Sequence, residues 1–115
     1  MTLIGSFIAA DNPGSTDAEQ VARDQLAHEL MYFSRGNPVI YYGDEQGFTG
    51  DGDDRRSRQD MFETQTPSYA DDRRIGTASG SFDTEADLYR RIVVMTAARA
   101  AKVCRRVDKC KVCAS

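Results

Sequence analysis

Residues 35–50 read RGNPVIYYGDEQGFTG, and the fold of the chain turns on them. Their centre, PVIYY at 38–42, is apolar, β-branched and aromatic without alternation. That pattern suits a short strand covered on both faces, and Pro38 is tolerated at a first strand position. Upstream lies a helix pattern. Thr16-Asp17-Ala18-Glu19 fits a capping box, in which Thr16 accepts from a free backbone N–H and Glu19 reaches back. Asp17 and Glu19 also suit the positive end of a helix dipole. Ala22, Leu26, Leu30 and Phe33 then recur every three or four residues as one apolar stripe, and Gly36 is a natural helix stop. Further upstream, TLIGSFI at 2–8 reads as a buried strand closed by the turn residues Asn12, Pro13 and Gly14. Strand, helix and strand in this order predict a right-handed βαβ crossover.

Downstream, residues 43–82 are rich in Gly, Asp, Arg, Ser and Thr, and show only a turn near 59–64. A connection this long in a compact domain is usually functional or disordered. A second helix is expected from Asp83 or Thr84 to about Lys102, with Thr84-x-x-Asp87 as its cap. Leu88, Ile92 and Met95 form its stripe, with Val94, Ala98 and Ala101 beside them. From Arg99 onward six basic residues face one acid, Asp108, with no clear periodicity. The expectation is an α/β unit with two parallel strands and two main helices over residues 1–103. A basic, cysteine-containing tail at 104–115 is expected to be disordered.

Bulk properties narrow the function classes. With 115 residues, 40% hydrophobic and 29% charged, the chain fits one small, rather polar globular unit. Fifteen basic and 18 acidic residues give a net charge of -3, which argues against nucleic acid or anionic lipid as a partner. Charges interrupt every helical segment, so no membrane span is expected. The first apolar run has no basic residue ahead of it, unlike the start of a secretory signal. Cys104, Cys110 and Cys113 are odd in number and crowded at one end, which is not a disulfide framework. They offer three thiolates with no evident fourth ligand for zinc. Asp51, Asp53 and Asp54 suggest calcium, but an EF-hand loop would need an oxygen ligand, Gly and Glu where Arg55, Arg56 and Phe62 stand. That loop reads as solvated charge, and no metal or cofactor is expected.

The run Gly36, Pro38, Val39, Ile40, Tyr41, Tyr42, Gly43, Asp44, Glu45 resembles the last barrel strand of the α-amylase family, glycoside hydrolase family thirteen. Arg58-Gln59-Asp60-Met61 resembles that family's Arg-x-x-Met element in the following loop, and residues 82–101 its last barrel helix. The resemblance covers about residues 2–101. It implies part of a (β/α)8 TIM barrel: seventh strand, seventh helix, eighth strand, long loop and eighth helix. In the family the seventh strand ends in Phe-Ile/Leu-x-Asn-His-Asp, with a substrate-binding His and the third catalytic Asp. Here the text is Phe7-Ile8-Ala9-Ala10-Asp11-Asn12. Ungapped, Asn12 takes the Asp position; with a short gap, Asp11 takes it. The family's His is absent either way, and the single histidine, His28, reads as a polar helix residue without function.

Retaining glycoside hydrolysis needs two carboxyl groups about 5–5.5 Å apart. Asp44 and Glu45 are adjacent, and neighbours on an extended chain project to opposite faces. The resemblance places the nucleophile and the acid/base on strands outside these residues. It implies an α-glucan or maltooligosaccharide as substrate of the parent enzyme and a chain inactive alone; the alternative is a non-catalytic remnant that binds carbohydrate or pairs with a complementary barrel fragment. Asp11 is the catalytic candidate; Tyr42, Asp44, Glu45 and Arg58 are the substrate-binding candidates at the strand-end rim. A plainer alternative is that Tyr41 and Tyr42 are core and Asp44 holds a turn.

Overall fold

A computed structural model describes residues 4–50, 60–61, 74–77 and 83–112, with side chains up to residue 102. Three α-helices and one short 3-10 turn make up its regular structure: α1 (Ile4–Asp11), α2 (Asp17–Phe33), the turn Asp44–Gln46, and α3 (Asp87–Val112).

The α/β expectation is overturned. Among the described residues there is no strand, and the only β pairing is an isolated antiparallel bridge between Phe48 and Arg74. The first expected strand is helix α1, and residues 38–40 carry no regular structure. The reason lies in backbone hydrogen bonding. A strand's N–H and C=O groups must be taken by a neighbouring strand, whereas a helix satisfies them within itself. Ile, Phe and two alanines allow either state, and with no adjacent strand the local solution prevails.

Helix α2 starts as its sequence dictates. The Thr16 N–H donates to Glu19 Oε2 at 2.8 Å, and the Glu19 N–H donates to Thr16 Oγ1 at 3.3 Å. The bonds that its carboxylate accepts, first from the Thr16 N–H and then from the Thr16 hydroxyl at 3.0 Å, hold the Glu19 carboxyl below its ordinary range. The helix ends at Phe33, with Ser34 as cap, so Gly36 lies beyond the cap rather than forming it. Its φ of 111° still turns the chain. There the Arg99 guanidinium of α3 donates to the carbonyl oxygens of Tyr32 and Gly36, a cation at the negative end of α2.

The apolar stripe of α2 points outward. Leu26, Leu30 and Phe33 are 55%, 62% and 61% exposed, and Ala22 is exposed too. The buried face is polar: Gln20, Asp24, His28 and Tyr32, each four residues from the last. In α3 the expected stripe does face inward, with Leu88 and Met95 buried and Ile92 half-buried. Helices α2 and α3 pack together, and the Tyr32 hydroxyl meets Thr96 Oγ1 at 2.9 Å across them.

Among the described residues the interior holds five hydrophobic side chains (Tyr32, Phe48, Ala86, Leu88, Met95) against seven polar or charged ones. Full burial contributes on the order of 1.5–3 kcal/mol for a side chain such as Phe48 or Leu88. Cohesion therefore leans on polar contacts as well. Gln46 clamps Asp83 from both sides: its Nε2 donates to the Asp83 carbonyl oxygen and its Oε1 accepts from the Asp83 N–H, both at 3.1 Å. Asp83 in turn accepts from the Glu85 N–H through Oδ1 and from Thr77 Oγ1 through Oδ2, holding the approach to α3.

Candidate functional site

The stretch expected to be a rim of sugar-binding residues is a glycine-bounded turn. Gly43 and Gly47 flank Asp44–Gln46 with φ of 91° and 67°, in the left-handed region where L side chains are strained. A Cβ on Gly43 would also overlap the Phe48 ring. Phe48 is fully buried, with the Arg74 guanidinium 4.9 Å above its ring centroid.

Two of the candidate acids hold this turn. Asp44 is buried, and its Oδ2 accepts from the Tyr41 N–H at 3.0 Å. Glu45 is half-buried, and its Oε2 accepts from the Gly43 N–H at 3.0 Å. Tyr42 is 40% exposed, with its ring centroid 4.6 Å from that of Tyr41. Tyr42, Asp44 and Glu45 are thus brought together on one turn. Asp11 lies exposed at the last position of α1. Arg58, the Asp51–Asp54 acids and Cys113 lie outside the described residues, as do the side chains of Cys104 and Cys110.

Beneath the turn sits a cluster that sequence reasoning missed. His28 and Asp24 are fully buried on the inner face of α2. The His28 Nδ1–H donates to the Asp24 carbonyl oxygen at 2.9 Å. Asp24 Oδ1 lies 2.7 Å from the same nitrogen, an ionic contact off the hydrogen-bond direction. On the opposite edge of the ring, Asp44 Oδ2 stands 3.8 Å from Nε2. Both Asp24 carboxylate oxygens, His28 Nε2 and Asp44 Oδ1 are buried without a hydrogen-bond partner. Burial by itself pushes the His28 pKa down. The Asp24 carboxylate and then Asp44 outweigh it and raise the imidazole to about 10. Burial raises the Asp24 carboxyl above its ordinary range, opposed by His28. Burial at Asp24 and the two acidic groups beside His28 thus each favour the bound proton.

Helix α1 fits tightly over this cluster. A Cβ on Gly5 would overlap the Phe48 carbonyl, and Ser6 donates its hydroxyl proton to the Thr49 carbonyl oxygen. Because Asp24 and Asp44 approach opposite edges of the imidazole, the three groups cannot share one metal ion. Among the described residues no group of three or more His, Cys, Asp or Glu side chains is arranged to hold one. Surface depressions lie elsewhere: one lined by Gln25, Asp87, Arg90, Arg91 and Val94, another by Ala22, Ile75 and Gly76 among others. Among the described residues, none of the candidates Asp11, Tyr42, Asp44 and Glu45 lines either. No helix among the described residues is long and apolar enough to cross a membrane.

Comparison with known proteins supplies the class. The chain is 51% identical over 105 residues to an α-amylase of Streptomyces lividans, an alignment covering 88% of this chain and 11% of that protein. It is 39% identical over 67 residues to α-amylase 1 of Lipomyces kononenkoae, covering 55% of this chain and 10% of that one. Against α-amylase 2 of Schwanniomyces occidentalis it is 39% identical over 57 residues, 46% of this chain and 11% of that one. These likenesses define the chain as a segment of glycoside hydrolase type. More narrowly, it belongs to the α-amylase family, and it spans about a tenth of the length of the curated relatives it matches. No profile of a protein family matches it, and no solved structure does.

Proposed function

We propose that this chain is a non-catalytic segment of an α-glucan-acting, retaining glycosidase and turns over no glucan alone. The identity of 51% to the Streptomyces lividans α-amylase carries the reading. Its chemistry is supported by the turn. Retention requires one carboxylate to attack and another to donate a proton across one glycosidic bond. Asp44 is buried and occupied by the Tyr41 N–H, and Glu45 by the Gly43 N–H. In the parent enzyme Tyr42 and Glu45 contact the glucan, Asp44 positions them through the turn, Arg58 anchors the following loop, and Asp11 supplies the third carboxylate. A reducing-sugar assay of the purified chain on starch and maltoheptaose is expected to read zero. Turnover that survives repurification and disappears with Asp11→Asn would overturn the proposal.

A second reading is favoured by the outward apolar stripe of α2: the chain pairs with a complementary stretch of an α-amylase polypeptide. Leu26, Leu30 and Phe33 offer the apolar face, and the remainder of the Streptomyces lividans relative, of which the alignment covers 11%, offers the partner. Mixing the chain with Streptomyces lividans α-amylase lacking the matching 105 residues should shift sedimentation and restore starch cleavage. Two unchanged boundaries in the centrifuge would remove this reading.

A further inference from the structure

We propose that His28 is a proton-operated latch: its imidazolium, held between Asp24 of α2 and Asp44 of the 41–47 turn, fixes that turn against the helix, and loss of the proton to solvent base releases it. The inference is independent of sugar binding and holds whatever the segment's activity.

The geometry makes the latch two-sided. Asp24 meets the Nδ1 edge at 2.7 Å and Asp44 approaches the Nε2 edge at 3.8 Å, so one ring bridges two elements of the fold. Asp44 is also the acceptor for the Tyr41 N–H, and through that bond it shapes the entry to the turn. A neutral imidazole would leave two buried carboxylates facing each other without a cation. Like charges at close range in a low-dielectric interior repel strongly.

Among the described residues, no neighbouring element offers a group that replaces the imidazolium. On α2, Tyr32 lies one helical turn on, and its hydroxyl is engaged with Thr96. Helix α1 brings Gly5 and Ser6 to the same interior, neither titratable. On the turn, Glu45 is directed to the Gly43 N–H and would add only further negative charge. Helix α3 buries Leu88 and Met95, while its Arg99 is spent on the carbonyl oxygens at the C-terminus of α2. His28 is therefore the one cation among the described residues in contact with both carboxylates. The rise of its pKa to about 10 agrees with that placement. Signs follow directly. A histidine raised in the folded state contributes stability that is complete below 6.5 and is lost as pH climbs through about 10.

The chain has a single histidine, so isotope labelling of the full chain gives one imidazole signal set. The expected titration midpoint lies near 10 instead of 6.5, with doubly protonated imidazole still present at pH 8.5. Over the same interval the amide signals of Tyr41 and Gly43 should shift with the imidazole, and in H28Q they should not. Asp44→Asn should bring the midpoint down; if that variant does not fold, the wild-type correlation decides. A midpoint near 6.5, in a folded or an unfolded sample, overturns the latch. So do turn amides that stay still while His28 loses its proton.

Discussion

The two faces of α2 invert what their chemistry suggests. Gln20, Asp24, His28 and Tyr32 are buried, whereas Ala22, Leu26, Leu30 and Phe33 are turned to solvent. An amphipathic helix ordinarily buries the second set. The difference shows that periodicity and direction are separate pieces of information. The inner face meets a carboxylate on the turn, Asp44, and a hydroxyl on α3, Thr96, and polar side chains answer them. The outer face is the apolar surface left over, a contiguous feature of the kind that marks interaction sites.

The sharpest way to break the comparison is to strip the inner face of its cation. His28→Leu leaves Asp24 and Asp44 buried without a counter-charge. Removing one partner of a buried ion pair costs about 3–5 kcal/mol, enough to abolish the urea transition of a marginal unit. Replacing the helix pair by apolar residues, D24L/H28L, should recover a substantial part of that loss, because well-packed hydrophobic substitutes are often neutral. A His28→Leu chain with a wild-type midpoint would show that the polar face is not what holds α2 to the turn.

An adjacent pair of residues gives a finer contrast. Tyr32 is buried and bonded to Thr96, while Phe33 is 61% exposed. Tyr32→Phe removes one hydrogen bond between α2 and α3 and should cost about 1 kcal/mol in chemical denaturation. Phe33→Ser should lie within about 0.5 kcal/mol of wild type, as expected of an exposed position. Equal losses at the two positions would mean that the faces had been assigned the wrong way round.

This contrast also marks what sequence could and could not deliver. The start of α2 was legible because Thr16 and Glu19 form their capping box within four residues, needing nothing distant. The inward stripe of α3 was legible too in Leu88, Ile92 and Met95, which meet the core, whereas Val94, Ala98 and Ala101 beside them are exposed. Both strands failed because strand identity depends on pairing, which segments of 2–8 and 38–42 cannot provide for themselves. In the candidate site, the turn role of Asp44 was foreshadowed by Gly43 and Gly47 around it. The cluster was not. Asp24 and His28 at i and i+4 look like any solvated helix face, and charged residues are rarely buried. The usable signal was their pairing on one helical face opposite a strong apolar stripe, which leaves the stripe free for some other surface.

That freedom gives the prediction with the smallest effect on folding and the clearest effect on association. L26E/L30E places two charges where Leu26 and Leu30 already stand 55% and 62% exposed. Stability should stay within about 0.5 kcal/mol of wild type, as expected of positions that are mostly exposed. Self-association should fall, since two acids would have to be desolvated in any contact made by that face. Sedimentation velocity across a concentration series reads both the monomer fraction and its change. If the double variant unfolds, the leucines are packed against the body and the stripe points inward after all. If it folds and associates as before, the sticky surface lies elsewhere, with the exposed Val93 and Val94 of α3 as the next place to put a charge.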